Sequence, residues 1–309
     1  MNDRSPSSAI TLSIAAVERD TGLSKDTLRV WERRYGFPQP GRDNLGERIY
    51  TMAEVEKLRI VKRLLDAGHR PGRIVPLSPE QLQQLGDAAF EPATLDSLPA
   101  ADELREHLDL IRAHDLPALR RQLTRLLSRV GVARFVTDVV GPLNAAVGDA
   151  WVRGQLEIFE EHLYTETLQV VLRAAIASVP EPATADAPRI LLTTFPGEPH
   201  GLGLLMAEAI LALEGCHCIG LGTQTPPWDI VRAAAAMRCE VVALSFTGCM
   251  NPNQIADGLT ELRAKLPPEV RLWAGGSAPV LVRRPVEGVQ SFPSLADVPE
   301  ALRHLREPT

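Results

Sequence analysis

Residues 21–51 read TGLSKDTLRVWERRYGFPQPGRDNLGERIYT. Just upstream, Ile14-Ala15-Ala16-Val17 opens a short helix that stops at Thr21-Gly22. Ser24 is a good N-cap for a second helix over 25–36. Two short helices joined by a glycine-containing turn make a helix-turn-helix. On the second helix Lys25, Arg29 and Arg33 recur every fourth residue and share a face, with Val30 and Arg34 beside them. Cations at that spacing reach phosphates or guanine edges in a major groove. Arg42 and Arg48 flank a turn centred on 44–46, which predicts a two-stranded wing. Thr51 followed by Glu54 has the spacing of a capping box and starts another helix.

The wording of this stretch is more specific than its periodicity. TLRVWERRYG, a proline, then an arginine ahead of Gly46-Glu47-Arg48-Ile49-Tyr50 resembles the winged-helix head of the MerR family of transcriptional regulators. The resemblance implies that the second helix enters the major groove and the wing grips phosphate. It assigns DNA contact to Lys25, Thr27, Arg29, Arg33, Arg34, Tyr35, Arg42, Arg48 and Tyr50. It also implies two heads on a palindromic double-stranded operator, hence a dimer or tetramer of the chain.

Charge supports a polyanion contact confined to this end. Residues 1–75 hold 14 Lys+Arg and 10 Asp+Glu, a net of +4, and the remainder holds 19 and 29, a net of −10. No apolar run reaches the roughly eighteen residues of a membrane span, and Met1–Ser8 is polar with no signal core, so a cytoplasmic protein without membrane contact is expected. Cys216, Cys218, Cys239 and Cys249 form no CxxC pair and read as neutral thiols in a reducing compartment.

Beyond the head (10–75) the chain divides by composition. Residues 76–101 are proline-punctuated and read as a linker with one short helix capped by Ser78-Pro79-Glu80-Gln81. Residues 102–178 show helical periodicity alone, and 179–188 (VPEPATADAP) are a second linker. Residues 189–309 alternate apolar runs at 189–195, 217–221, 240–246, 270–274 and 289–292 with helices near 203–214, 228–238, 253–266 and 296–306. Alternation of this kind predicts a doubly wound, flavodoxin-like parallel sheet. Ligands on such sheets lie beyond the carboxyl ends of the strands, so the loops of interest are 196–203, 222–227, 247–252 and 275–279.

The first of those loops contains Glu198-Pro199-His200-Gly201-Leu202-Gly203. The spacing resembles the axial-ligand signature of cobalamin-binding domains, Asp-x-His-x-x-Gly, with Glu in place of Asp. Imidazole is a good cobalt ligand, a carboxylate on its other nitrogen fixes and activates it, and glycine admits a flat macrocycle. The resemblance makes His200 the metal ligand and Glu198 its partner, and assigns cofactor contact to Gly201, Gly203, Ser245, Thr247, Gly275 and Gly276, the last four at strand ends where the nucleotide tail is held. In the helical region Trp151, Glu161 and His162 follow a W-x9-E-H spacing. This is similar to the four-helix cap of cobalamin-dependent MerR regulators, including adenosylcobalamin photoreceptors that repress carotenoid genes. The resemblance places these three residues above the corrin, against an adenosyl ligand.

One position departs from that pattern. The photoreceptors follow the tryptophan with a histidine that captures cobalt after light; here Val152 stands there, and a two-imidazole state cannot form through it. The expected protein is therefore a DNA-binding regulator, repressor or activator, gated by cobalamin, with adenosylcobalamin favoured and light as one candidate signal. A cobalamin-dependent mutase or methyltransferase is disfavoured, because 309 residues carry a DNA-reading head and leave no room for a substrate barrel. A regulator whose sensor has lost cobalamin is the remaining alternative, and the intact Glu198, His200, Trp151, Glu161 and His162 argue against it.

Overall fold

The computed structural model describes residues 11–66, 69–82, 85, 101–182, 184, 187–248 and 250–306. Cys249, the end of the first linker and parts of the second lie outside the described residues. The chain forms two compact units: residues up to Thr94 together with Asp149–Gln155, and Leu95–Gly148 together with Leu156–Thr309.

The first unit begins with β1 (Thr11–Ser13), α1 (Ile14–Thr21) and α2 (Lys25–Tyr35). Ser13 caps α1 and Gly22, at φ 69°, ends it. Ser24 caps α2 by accepting from the Thr27 amide. β2 (Gly41–Arg42) and β3 (Arg48–Thr51) follow, then α3 (Met52–Asp66) and α4 (Pro71–Ile74). Thr51 and Glu54 exchange hydrogen bonds as the capping box requires. The wing is larger than expected: β3 pairs with β2 and with β1, giving a three-stranded antiparallel sheet. The extra strand is three residues long and runs straight into α1, too short for alternation to announce it. Tyr50 also corrects an expectation. It is fully buried among Val17, Leu28, Trp31 and Leu58, because its position on β3 turns the ring into the core, where it packs rather than touching DNA.

In the second unit, α5 (Ala101–Arg112) and α6 (Leu116–Val130) precede α7 (Val132–Arg134). The chain then passes through one π-helical stretch, Phe135–Val140, into α8 (Gly141–Val152). With α9 (Ile158–Ala177) these complete the expected four helical segments. Five parallel strands follow: β4 (Arg189–Thr193), β5 (His217–Gly220), β6 (Val241–Phe246), β7 (Arg271–Gly276) and β8 (Val289–Phe292). Their order is β5-β4-β6-β7-β8, the doubly wound arrangement in which the chain reverses direction beside β4. α10 (Leu202–Leu213), α11 (Pro227–Ala236), α12 (Pro252–Lys265), α13 (Val280–Arg283) and α14 (Val298–Arg306) connect or follow the strands. Ile230, Ile255 and Leu259 cover the sheet face of Leu191, Val242, Leu244 and Leu272. Among the described residues no helix is long and apolar enough to cross a membrane.

Leu28 is fully buried and seats α2 on the head core. Leu28→Ala should cost about 2–5 kcal/mol and lower the melting of the head. Calorimetry checks this, and an unchanged melting profile would mean that α2 is held by something else.

Candidate functional site

Thr193 ends β4, Thr194 follows it, and both are fully buried. Thr193 Oγ1 lies 2.7 Å from Thr225 Oγ1 and donates to the Gly222 carbonyl at 2.9 Å. Thr194 Oγ1 donates to the Glu198 carbonyl at 2.6 Å and accepts from the Gln224 amide at 2.8 Å. The two hydroxyls staple the loops after β4 and β5, beyond the carboxyl ends of those strands. Sequence reasoning passed over both; a polar pair closing an apolar strand was the available signal.

Within the first loop Glu198 is fully buried. Its Oε1 lies 2.6 Å from His200 Nδ1 and accepts from the His200 amide at 3.2 Å. Its Oε2 accepts from the Thr247 amide at 2.7 Å and hydroxyl at 2.8 Å. Burial pushes the carboxyl up, but the hydrogen bonds from His200 and Thr247 outweigh burial and hold it below the usual glutamate range. The loops after β4 and β6 are thus tied through one anion. The His200 side chain is half exposed. With Nδ1 turned to Glu198, Nε2 is the atom positioned to bind a metal.

The glycines beside this centre differ in what they require. A methyl group on Gly203 would sit 2.4 Å from Ser245 Oγ, so α10 lies directly on the end of β6. Gly276 has φ 111° and would place a methyl 2.2 Å from the Phe246 carbonyl oxygen; only glycine fits. Gly275 would make ordinary contact with Phe292, and Gly201 a tight one with Thr223 at 3.3 Å.

In the bundle, Glu161 lies 2.7 Å from His162 Nδ1 through one oxygen and accepts from Thr165 Oγ1 at 2.7 Å through the other. His162 is exposed and Glu161 half-buried. Tyr164, two residues on, donates to Asn144 Oδ1, and Asn144 Nδ2 reaches Met206 Sδ at 3.5 Å. This chain pins the start of α9 to α8 and to the second turn of α10, which begins just after His200. Trp151, by contrast, ends α8 within the first unit, half-buried.

On the head, Arg29, Arg33 and Arg34 of α2 are exposed. Arg29 pairs with Asp26 at 3.2 Å, Lys25 with Glu18 at 3.4 Å, and the Arg34 guanidinium lies over the Tyr35 ring. Thr27 shares a hydrogen bond with the Ser24 hydroxyl and is half-buried. Arg42 donates to the Gly46 carbonyl across the wing turn, whose tip exposes Leu45. Arg48 pairs with Glu32 at 2.8 Å, which raises its already high pKa. That pair fastens the wing to α2.

Residues 12–81 match the family model described as MerR HTH family regulatory protein. Two models described as B12 binding domain match residues 103–176 and 188–291. The chain is 33% identical over 260 residues to the HTH-type transcriptional repressor CarH of Myxococcus xanthus, covering 83% of this chain and 86% of that protein. It is 33% identical over 261 residues to CarA of the same organism, covering 84% of each. The chain belongs to the MerR family of transcriptional regulators and carries a cobalamin-binding module. Among solved structures, a Methanosarcina barkeri monomethylamine corrinoid protein superposes with a TM-score of 0.52 at 16% identity, over 65% of this chain and 96% of that one, a likeness of fold.

The residues of this MerR-family chain fit a corrinoid. His200 is oriented by a buried carboxylate, and Gly203 leaves Ser245 facing bare backbone. Trp273, missed by sequence reasoning, is buried with an indole N–H that meets no acceptor among the described residues. By register it shares a sheet face with Ser245 and Gly275. Burial pushes the Cys218 thiol up to about 12, which keeps it protonated.

Glu198→Gln replaces one acceptor oxygen by an amide that faces N–H and O–H donors. The change should destabilise the second unit by about 1–3 kcal/mol and weaken cobalamin binding about tenfold. Thermal melting and a spectrophotometric titration read the two effects; wild-type values in both would remove Glu198 as the organising group.

Proposed function

We propose that this protein is a cytoplasmic repressor whose hold on operator DNA is set by a cobalamin bound through His200, with Glu198 and Thr247 fixing the imidazole. The observation that carries the reading is the buried carboxylate bonded to His200 Nδ1 beyond the end of β4. Such a partner sets the tautomer and raises the basicity of the ligating nitrogen. Gly201, Gly203, Ser245, Thr247, Gly275 and Gly276 hold the nucleotide tail in this reading, with Trp273 as a further donor. Trp151, Glu161 and His162 are assigned to the upper face by the family resemblance.

We favour adenosylcobalamin as the bound form, which supplies a light-sensitive cobalt–carbon bond. The Thr165–Glu161–His162 relay offers an oriented, exposed imidazole at the start of α9. Val152 offers none. A cap packed on an upper ligand would lose that packing with the ligand, which is the differential interaction a switch needs. Assembly of two or four chains, and with it DNA affinity, follows the state of the cap. For DNA, Arg29, Arg33 and Arg34 reach the groove, Arg42 and the wing tip meet phosphate, and Arg48 keeps the wing in place through Glu32.

Arg33→Ala should weaken operator binding by about 1–3 kcal/mol and leave cobalamin uptake intact; equal gel-shift affinity would remove α2 from the reading. His200→Ala should loosen cobalamin retention and shift its visible bands, and wild-type affinity together with a wild-type spectrum would show that another group is the ligand.

A further inference from the structure

The turn that ends α8 packs as part of the head. Val152 lies against the head core formed by Val17, Leu28, Leu58 and Val61. Arg63, on α3, donates from Nη1 to the Trp151 carbonyl at 3.3 Å. That carbonyl also accepts from the Gly154 amide at 3.0 Å, closing the helix. Gly154 has φ 69°, and a methyl there would meet both terminal nitrogens of Arg63 at 3.5 Å. A guanidinium on the last carbonyls of a helix meets both the exposed acceptors and the negative end of the helix dipole. The contact joins residues 88 apart in sequence, and Asp149–Gln155 belongs to the same compact unit as the winged helix.

We propose that the Trp151–Gly154 turn is an intramolecular docking element. Val152 is its apolar plug and Arg63 its polar clasp, and together they pass displacement of α8 directly to α3. The idea explains why an aliphatic residue stands at 152: the position seats the head, a task for which a metal-binding imidazole is unsuited. It rests on the cobalamin reading only for what moves α8. α8 is one continuous helix from Gly141 to Val152. Its Asn144 is bonded to Tyr164 and Met206 at one end, and its Trp151 carbonyl to Arg63 at the other.

The test uses full-length protein and hydrogen–deuterium exchange on peptides from α3 and from 149–155, with and without adenosylcobalamin in the dark. Val152→Ser removes the apolar plug and leaves a small hydroxyl side chain in its place. It should raise exchange in both peptides together, by about tenfold, in the protein without cobalamin. Arg63→Gln should act in the same direction, and Arg63→Lys should restore part of the protection. In wild type, cobalamin loading should change α3 exchange; in Val152→Ser that response should disappear while the visible spectrum of bound cobalamin is retained. Unchanged α3 exchange in ligand-free Val152→Ser overturns the docking. An equal response to cobalamin in wild type and variant overturns the transmission. If no cobalamin spectrum develops in wild type, the sensor reading and the transmission fail, and the ligand-free exchange still decides the docking.

Discussion

A carboxylate with no exposed surface is expensive unless donors surround it. Glu198 meets that condition with the amide and imidazole of His200 on one oxygen and the amide and hydroxyl of Thr247 on the other. Its own carbonyl is held by Thr194, which also receives the Gln224 amide. Three loops beyond the carboxyl ends of β4, β5 and β6 are therefore fixed around one buried charge. The orientation of His200 is a consequence of that arrangement. A ring held this way meets a metal with little reorganisation, the pre-organisation that a tightly bound cofactor requires.

The head solves a different problem. Its basic surface has to stay available while its small core stays closed. Ion pairs that cross between elements, Arg48 with Glu32 and Arg59 with Asp20, are partly buried and fasten the wing and α3 to the helix-turn-helix. Arg29, Arg33 and Arg34 remain exposed on α2. The chain thus uses arginine for two ends, and burial separates them: the half-buried ones hold the framework, and the exposed ones face a partner. Arg63, on the Trp151 carbonyl, belongs with the first group.

Much of this was legible in the sequence because the signals were local. Caps at Ser24 and Thr51, the glycine stop at Gly22 and the apolar runs of the five strands depend on near neighbours, and the elements follow them within a few residues. The Glu198–His200 pair was legible because its partners are two residues apart. What escaped depends on distant contacts. Tyr50 looks like a wing residue, and only the closure of β3 on β1 and α1 shows that it is core. Thr193 and Thr194 act on loops about thirty residues away, and Trp273 joins the sheet face of Ser245 and Gly275 only once β7 is aligned with β6. Val152 is the sharpest case. The resemblance marks it as a missing ligand, and the structure packs its side chain against the head core.

In the proposed protein, His200 supplies the nitrogen that meets cobalt. The most direct test is electron paramagnetic resonance of the protein, grown with nitrogen-15 histidine and loaded with unlabelled cobalamin in its paramagnetic cobalt(II) form. Coordination by a protein imidazole splits each cobalt line into a doublet, and this doublet should become a triplet when histidine is unlabelled and be lost in His200→Ala. Triplets in the labelled wild-type protein, arising from the cofactor's own base, would contradict it.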